Sequence, residues 1–308
     1  EITTRLVGSE MCIRDRKYSS FAVRPVDLNL VDMSYIDEDF LEKLQNLYLR
    51  NSYTSQLVAG ISGSYTYNNQ MKNPGRNATL VRFNWETAGN LIGGLEHLFS
   101  SPAEGEDYYR IFGIRYSQYF RVDLSASRKI MLGEKAAVAG RLYAGCGLAY
   151  GNSTSIPFDR LFYCGGSNGM RGWVPRMLGP GSVPVDPDKV TYPAQLGDMK
   201  LEANLEFRFP IWGIFHGATF FDVGNIWFMG NNTAEYSPEA VFHFRDFYKQ
   251  LGFNTGLGIR LDIKFAVLRL DWGIQLHNPN NPAGKRWIHN FKWRNTCLLY
   301  TSPSPRDA

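Results

Sequence analysis

The chain has 308 residues, a formal net charge of +4 and a mean hydropathy of −0.28. That charge is too mild to argue for a nucleic-acid partner, and there is no run of about 18 apolar residues to make a membrane helix or the core of a signal peptide. Aromatic residues still reach 14% and glycines number 30, a polar but aromatic-rich and Gly-rich profile that points to an all-β protein, with transmembrane β-barrels among the classes that fit.

The two ends of the chain are related in an unexpected way. CLLYTSPSPRD (Cys297–Asp307) can be encoded by DNA whose reverse complement, in another frame, encodes LVGSEMCIRD (Leu6–Asp15). Two unrelated protein termini have no reason to be antisense copies of each other. Residues 1–16 and 297–308 are therefore expected to be translated sequencing-adapter sequence, and residues 17–296 the C-terminal part of a barrel. Cys12 and Cys297 fall in the suspect ends. Cys146 and Cys164 remain, without a His cluster, and suggest neither a zinc site nor a disulfide framework.

In chain order, strands are predicted near 21–32, 56–68, 78–88, 118–131, 136–150, 199–211, 217–229, 252–264 and 266–276, with a partial strand near 289–296. The signal is period-2 alternation. Val81, Phe83 and Trp85 alternate with Arg82, Asn84 and Glu86, and Leu201, Ala203, Leu205, Phe207 and Phe209 alternate with Lys200, Glu202, Asn204, Glu206 and Arg208. Leu257, Ile259 and Leu261 alternate with Gly256, Gly258 and Arg260, and Leu268, Leu270 and Trp272 with Arg269, Asp271 and Gly273. One helical pattern intrudes, DEDFLEKLQN at 37–46, in a long connection.

A soluble sandwich also alternates, but here the polar face carries both charges and many glycines, and the strands are long enough to cross a bilayer at a tilt. Connections alternate in length. Short ones fall at 71–76, 132–135, 212–216 and 264–265, and long ones at 33–55, 89–117, 151–198, 230–251 and 277–288. Short turns on one side and long loops on the other are the layout of an outer-membrane barrel. The expected fold is all-β, a partial antiparallel transmembrane β-barrel of about ten strands.

The longest connection contains CGGSNGMRGW (Cys164–Trp173). It lacks the Lys-Ser/Thr pair of a phosphate-binding loop and has no helical pattern after it. The next two strands carry acids on their inward faces, Glu202 and Glu206 on the first and Asp222 on the second. A guanidinium carries a rigid five-donor fork and stays charged, so a folded-in loop would let Arg171 hold two such acids at once. Gly165, Gly166 and Gly169 would let the backbone thread a narrow lumen.

FYCGGSNGMRGW, with LEFRFPI at 205–211 and FFDVGN at 220–225, resembles the BamA/TamA-like outer-membrane assembly barrels, the bacterial surface antigen family, in the wording of its Bacteroidetes branch. The resemblance implies a lumen-inserted loop whose Met170-Arg171-Gly172-Trp173 motif latches onto Glu206 and Asp222. It implies about sixteen strands in the whole barrel, N-terminal POTRA domains, and a weakly paired seam between first and last strands. It also implies an outer-membrane location, a bilayer environment, unfolded outer-membrane proteins as clients, and periplasmic or lipoprotein partners through the POTRA domains. The function implied is assembly, insertion or translocation of proteins, without enzymatic activity. A passive channel or two-partner-type secretion pore of the same architecture is the alternative. A membrane-embedded hydrolase would need a Ser/His/Asn set that the sequence does not offer. The five histidines are scattered, with no metal-ligand spacing, and no metal or cofactor is expected. Trp227, Trp272, Trp287 and Trp293 are expected in aromatic girdles at the bilayer interface.

Overall fold

The computed structural model describes residues 2–6, 11–16, 18–32, 55–70, 77–95, 101–102, 108–111, 113–184, 195–229, 237–263, 267–288 and 296–301. The strands are β1 (Ile2–Leu6), β2 (Met11–Arg16), β3 (Ser19–Asp32), β4 (Gln56–Asn68), β5 (Ala78–Ala88), the short β6 (Ser101–Pro102), β7 (Tyr109–Ile111) and β8 (Ile114–Tyr116), then β9 (Tyr119–Leu132), β10 (Ala136–Ala149), β11 (Met199–Trp212), β12 (Phe215–Trp227), β13 (Gly252–Asp262), β14 (Val267–His277) and β15 (Thr296–Thr301). A single turn of helix, α1 (Asn90–Gly94), follows β5. The long strands form one antiparallel meander in the order β3-β4-β5-β9-β10-β11-β12-β13-β14-β15, and β6–β8 make a side excursion that reaches β4 in parallel.

The predicted strands appear with small shifts at their ends. β12 begins two residues before the expected position because Gly213, at φ +56°, lets the chain reverse within two residues. The helix expected at 37–46 lies outside the described residues, as does the partial strand near 289–296 apart from Thr296.

The faces are inverted relative to a water-soluble sheet. Large apolar side chains stand exposed on the outer face, among them Leu124, Leu142, Leu205, Leu257 (57%) and Ile259. Charged and amide side chains are buried on the inner face: Asp27, Glu86, Asp123, Glu202, Glu206, Asp222, Asn254, Arg260 and Asp271. Water would penalise that outer band, whereas lipid would not. Among the described residues, the buried apolar clusters form around the loop between β10 and β11. There Val58, Ala88 and Tyr119 meet loop residues Ile156, Leu161, Leu196 and Phe228, and Phe162, Cys164, Met170, Trp173, Leu178 and Ile226 form a second cluster.

The terminal segments set aside on sequence grounds also find places. β1 and β2 lie one after the other along the outer edge of β3, and β15 lies along the outer edge of β14. These are the two ends of an unclosed sheet, where unpaired N–H and C=O groups accept an extended chain.

The girdle expectation needs correcting at Trp227. It is fully buried, because the loop after β12 folds over it: Phe242 and Phe247 pack edge-on against the indole, and Nε1 donates to Gln250 Oε1 at 2.7 Å. Trp272 is the central residue of β14 rather than an end residue. Trp287 is exposed in the loop after β14, and Trp293 lies outside the described residues.

The outer band makes a quantitative prediction. Leu257→Arg places a cation among lipid tails in the middle of β13 and should destabilise the folded barrel by about 2–4 kcal/mol. Urea unfolding of the vesicle-inserted protein, followed by tryptophan emission, reads that shift.

Candidate functional site

Cross-strand register builds the site. Arg141 on β10 stands opposite Asn204 on β11, Asn204 opposite Asp222 on β12, Asp222 opposite Asn254 on β13, and Asn254 opposite Gln275 on β14. Five inward polar residues thus form one lateral row. Below it lie Glu206, Phe220, Gly256 and Gly273, also in register.

The loop between β10 and β11 lays residues 168–172 along this row. Arg141 Nη1 donates to Asn168 O, Asn204 Nδ2 to Gly169 O at 3.0 Å, and Gln275 Nε2 to Gly172 O at 2.8 Å. The main-chain N–H of Arg171 donates to Asp222 Oδ2 at 3.2 Å. The wall reads the loop largely through its main chain, one strand after another. The segment itself is bent by two turns, closed by Gly169 N–H to Gly166 O and Trp173 N–H to Met170 O, each at 3.1 Å, so the long side chains of the wall reach out to it.

Arg171 fixes the arrangement. Nε and Nη2 grip Asp222 at 3.0 and 2.7 Å, and Nη1 reaches Glu206. Its guanidinium carbon lies 3.6 Å from the centre of the Phe220 ring. Asn204 and Asn254 complete Asp222's shell at 3.0 and 2.9 Å. Arg171 is 3% exposed and Asp222 0%, so neither charge has water to fall back on. Burial works against the guanidinium charge, but bonds and charges from Asp222 and Glu206 more than offset it and hold its pKa above the ordinary value. The network continues outward. Arg208 and Arg260 also pair with Glu206 at 2.7 and 3.2 Å, and Asp271 pairs with Arg260 and with Arg269.

The rest of the motif packs. Met170 and Trp173 sit in the apolar cluster with Phe162, Leu178 and Ile226. Gly165 and Gly166 have φ of +102° and +91°, a left-handed turn closed by Gly166 N–H to Trp173 O at 2.8 Å. Gly169 lies against the Glu202 carboxylate. Gly172 presses on β13, where an added Cβ would come within 2.7 Å of Asn254 Cβ.

A second tie is not evident from the sequence. Arg160, in the same loop, pairs with Glu86 of β5 at 3.2 Å and approaches Asp27 of β3 at 3.9 Å, while the Tyr119 hydroxyl of β9 donates to Glu86. Two arginines of the loop therefore tie it to the wall at separate places, Arg160 to β3 and β5 and Arg171 to β11 and β12. The inward parity of Asp27 and Glu86 was available in the sequence. That Arg160 would meet them was not, because it depends on the path of the loop. Among the described residues, no group of three or more His, Cys, Asp or Glu side chains is placed to hold a metal ion.

The Omp85 superfamily domain matches residues 3–294 of the chain. The outer membrane protein assembly factor BamA of Neisseria meningitidis serogroup B is 30% identical over 158 residues, which is 50% of this chain and 18% of that protein. Among solved structures, BamA from Haemophilus ducreyi lacking POTRA domains 1–3 is similar with a TM-score of 0.43 and 12% identity, over 92% of this chain and 61% of that one. CdiB from Acinetobacter baumannii is similar with a TM-score of 0.31 and 12% identity, over 87% and 48%. The chain spans less than two thirds of the length of each of these relatives.

The buried ion pair leads to two expected outcomes. Arg171→Ala and Asp222→Ala should each cost about 3–5 kcal/mol, since each strands a buried charge, and the double variant should cost less than their sum; urea midpoints of the three variants check this. Cys164 reports the loop directly. It is fully buried, and burial pushes its thiol up to about 12, so maleimide at pH 8 should leave it unlabelled. Mass spectrometry should find it labelled in Arg171→Ala and still protected in Arg208→Gln.

Proposed function

Because the chain belongs to the Omp85 superfamily and is an outer-membrane protein, we propose that it is the barrel portion of a factor that assembles or translocates other proteins at that membrane. The observation that carries this reading is the loop held across β10 to β14 by Arg171 on Asp222 and Glu206. A rigid inner brace lets a barrel keep its shape while a seam elsewhere opens. Unpaired backbone groups at such a seam would template an incoming client strand by main-chain pairing. The clients would be unfolded outer-membrane proteins, delivered with the help of periplasmic or lipoprotein partners that dock on POTRA domains of the full-length protein. The factor would act without enzymatic chemistry, by lowering the barrier to insertion.

Residues 1–16 and 297–308 are, in this reading, adapter-derived, on the strength of their antisense relation. Amplifying the gene from source DNA with primers inside 17–296 should give other sequence at both junctions.

Replacing the chromosomal copy of the full-length gene with Arg171→Ala or Asp222→Ala should lower the level of folded outer-membrane proteins and weaken the heat-modifiability of the factor itself. Normal levels of both in both variants would sink the assembly reading. Ion conductance that persists while depletion leaves outer-membrane protein levels intact would instead identify a passive pore.

A further inference from the structure

On the outer face of the barrel, at the long-loop end of β13 and β14, a groove of about 630 Å³ is lined by Tyr248, Lys249, Phe253, His277, Arg286 and Trp287. None of these residues takes part in the inward loop site. Phe253 stands on the outward face of β13, with its ring 6.1 Å from that of Phe221 on the lipid side of β12. Leu257 and Ile259, further along the same face, are exposed in the apolar band. The groove therefore opens where that band ends, at the level where a bilayer passes from acyl chains to headgroups.

The loop after β14 folds back over this face. Trp287 stacks on Phe253 with centroids 6.0 Å apart and planes 14° from parallel, and its ring lies 4.5 Å from that of His277. His277 is fixed in turn by Nδ1 against Leu251 O at 2.6 Å. On the other side, the loop before β13 raises an aromatic ridge. Phe244 is 84% exposed and touches only the neighbouring rings of Phe242 and Phe247 among the described aromatic contacts. An apolar ring left this open is unfavourable in water and favourable in the headgroup layer. The charges agree. Residues 242–250 and 278–288 carry Arg245, Lys249, Lys285 and Arg286 against one acid, Asp246, which pairs with Lys249 at 2.6 Å where both are largely exposed.

We propose that this groove binds the phosphate headgroup of an anionic membrane lipid, with Lys249 and Arg286 on the phosphate and Phe253 and Trp287 against the glycerol and upper chain. A water-soluble partner would have to cover a surface continuous with the lipid-facing band, whereas a lipid continues the solvent already there. Aromatic walls with cations at the mouth are also what an amphipathic, negatively charged molecule needs at that depth.

The test uses the full-length protein inserted in mixed vesicles of phosphatidylglycerol and phosphatidylcholine, with one lipid at a time brominated near the headgroup end of its chains. The quenching that disappears in Trp287→Phe isolates Trp287. It should favour phosphatidylglycerol by about fivefold or more, the preference expected of each cation at an anionic surface. K249Q/R286Q should bring the two lipids to parity, and K249E/R286E should reverse their order, with heat-modifiability confirming that each variant is folded. Equal quenching by the two lipids in the unaltered protein would overturn the proposal, as would a preference that survives K249Q/R286Q. Loss of the preference in millimolar inorganic phosphate, with ionic strength held constant by chloride, would identify a free-anion site and overturn the lipid assignment.

Discussion

A fully buried carboxylate cannot stand alone, and the interior of this barrel is organised around that constraint at Asp222. In bulk water its charge would be solvated from every side. Here five donors replace that water: three from Arg171, one from Asn204 and one from Asn254. The donors come from the loop, from β11 and from β13, so satisfying one charge on β12 ties all four pieces of chain together at once. A well-packed apolar substitute could be as stable. It would not dictate which residues of a long loop lie on which strands.

The same register explains why small residues sit where they do. Below the polar row, Gly256 and Gly273 leave the inner wall bare of side chains. The Phe220 ring fills the space over Gly256, and the Arg171 carbonyl lies over Gly273, where a Cβ would collide with it. Amides and acids in one row, glycines in the next, make a shallow trough that fits a main chain. The outer face obeys the opposite logic, because lipid asks only for apolar bulk.

Much of this could be read from the residues. Alternation in 200–209 and 256–273 placed both faces, and the alternation of short and long connections placed the ends. The inward parity of Glu206 and Asp222 was visible, and their meeting with Arg171 was implied by the family resemblance rather than by pattern. Three things were out of reach. Asn204, Asn254 and Gln275 look like ordinary inward polar residues until register puts them in a line. Arg160 sits in an unremarkable FDR turn, and only the path of the loop carries it to Glu86. Trp227 satisfies every sequence cue for a girdle residue, yet a distant segment, 242–250, covers it. The first miss concerns register between strands and the other two concern where a long loop goes, neither of which local patterning encodes.

The two arginine ties have a geometric consequence. Arg160 holds the loop to β3 and β5, and Arg171 holds it to β11 and β12, on either side of the intervening β9 and β10. Between the ties the loop also touches those intervening strands, with Phe162 under the Arg121 guanidinium of β9 and Asn168 O accepting from Arg141 of β10. It is a seam laid crosswise to the strands, so prying β3 and β5 away from β11 and β12 has to break one arginine tie or the other, independently of whether the free edges of the sheet ever meet.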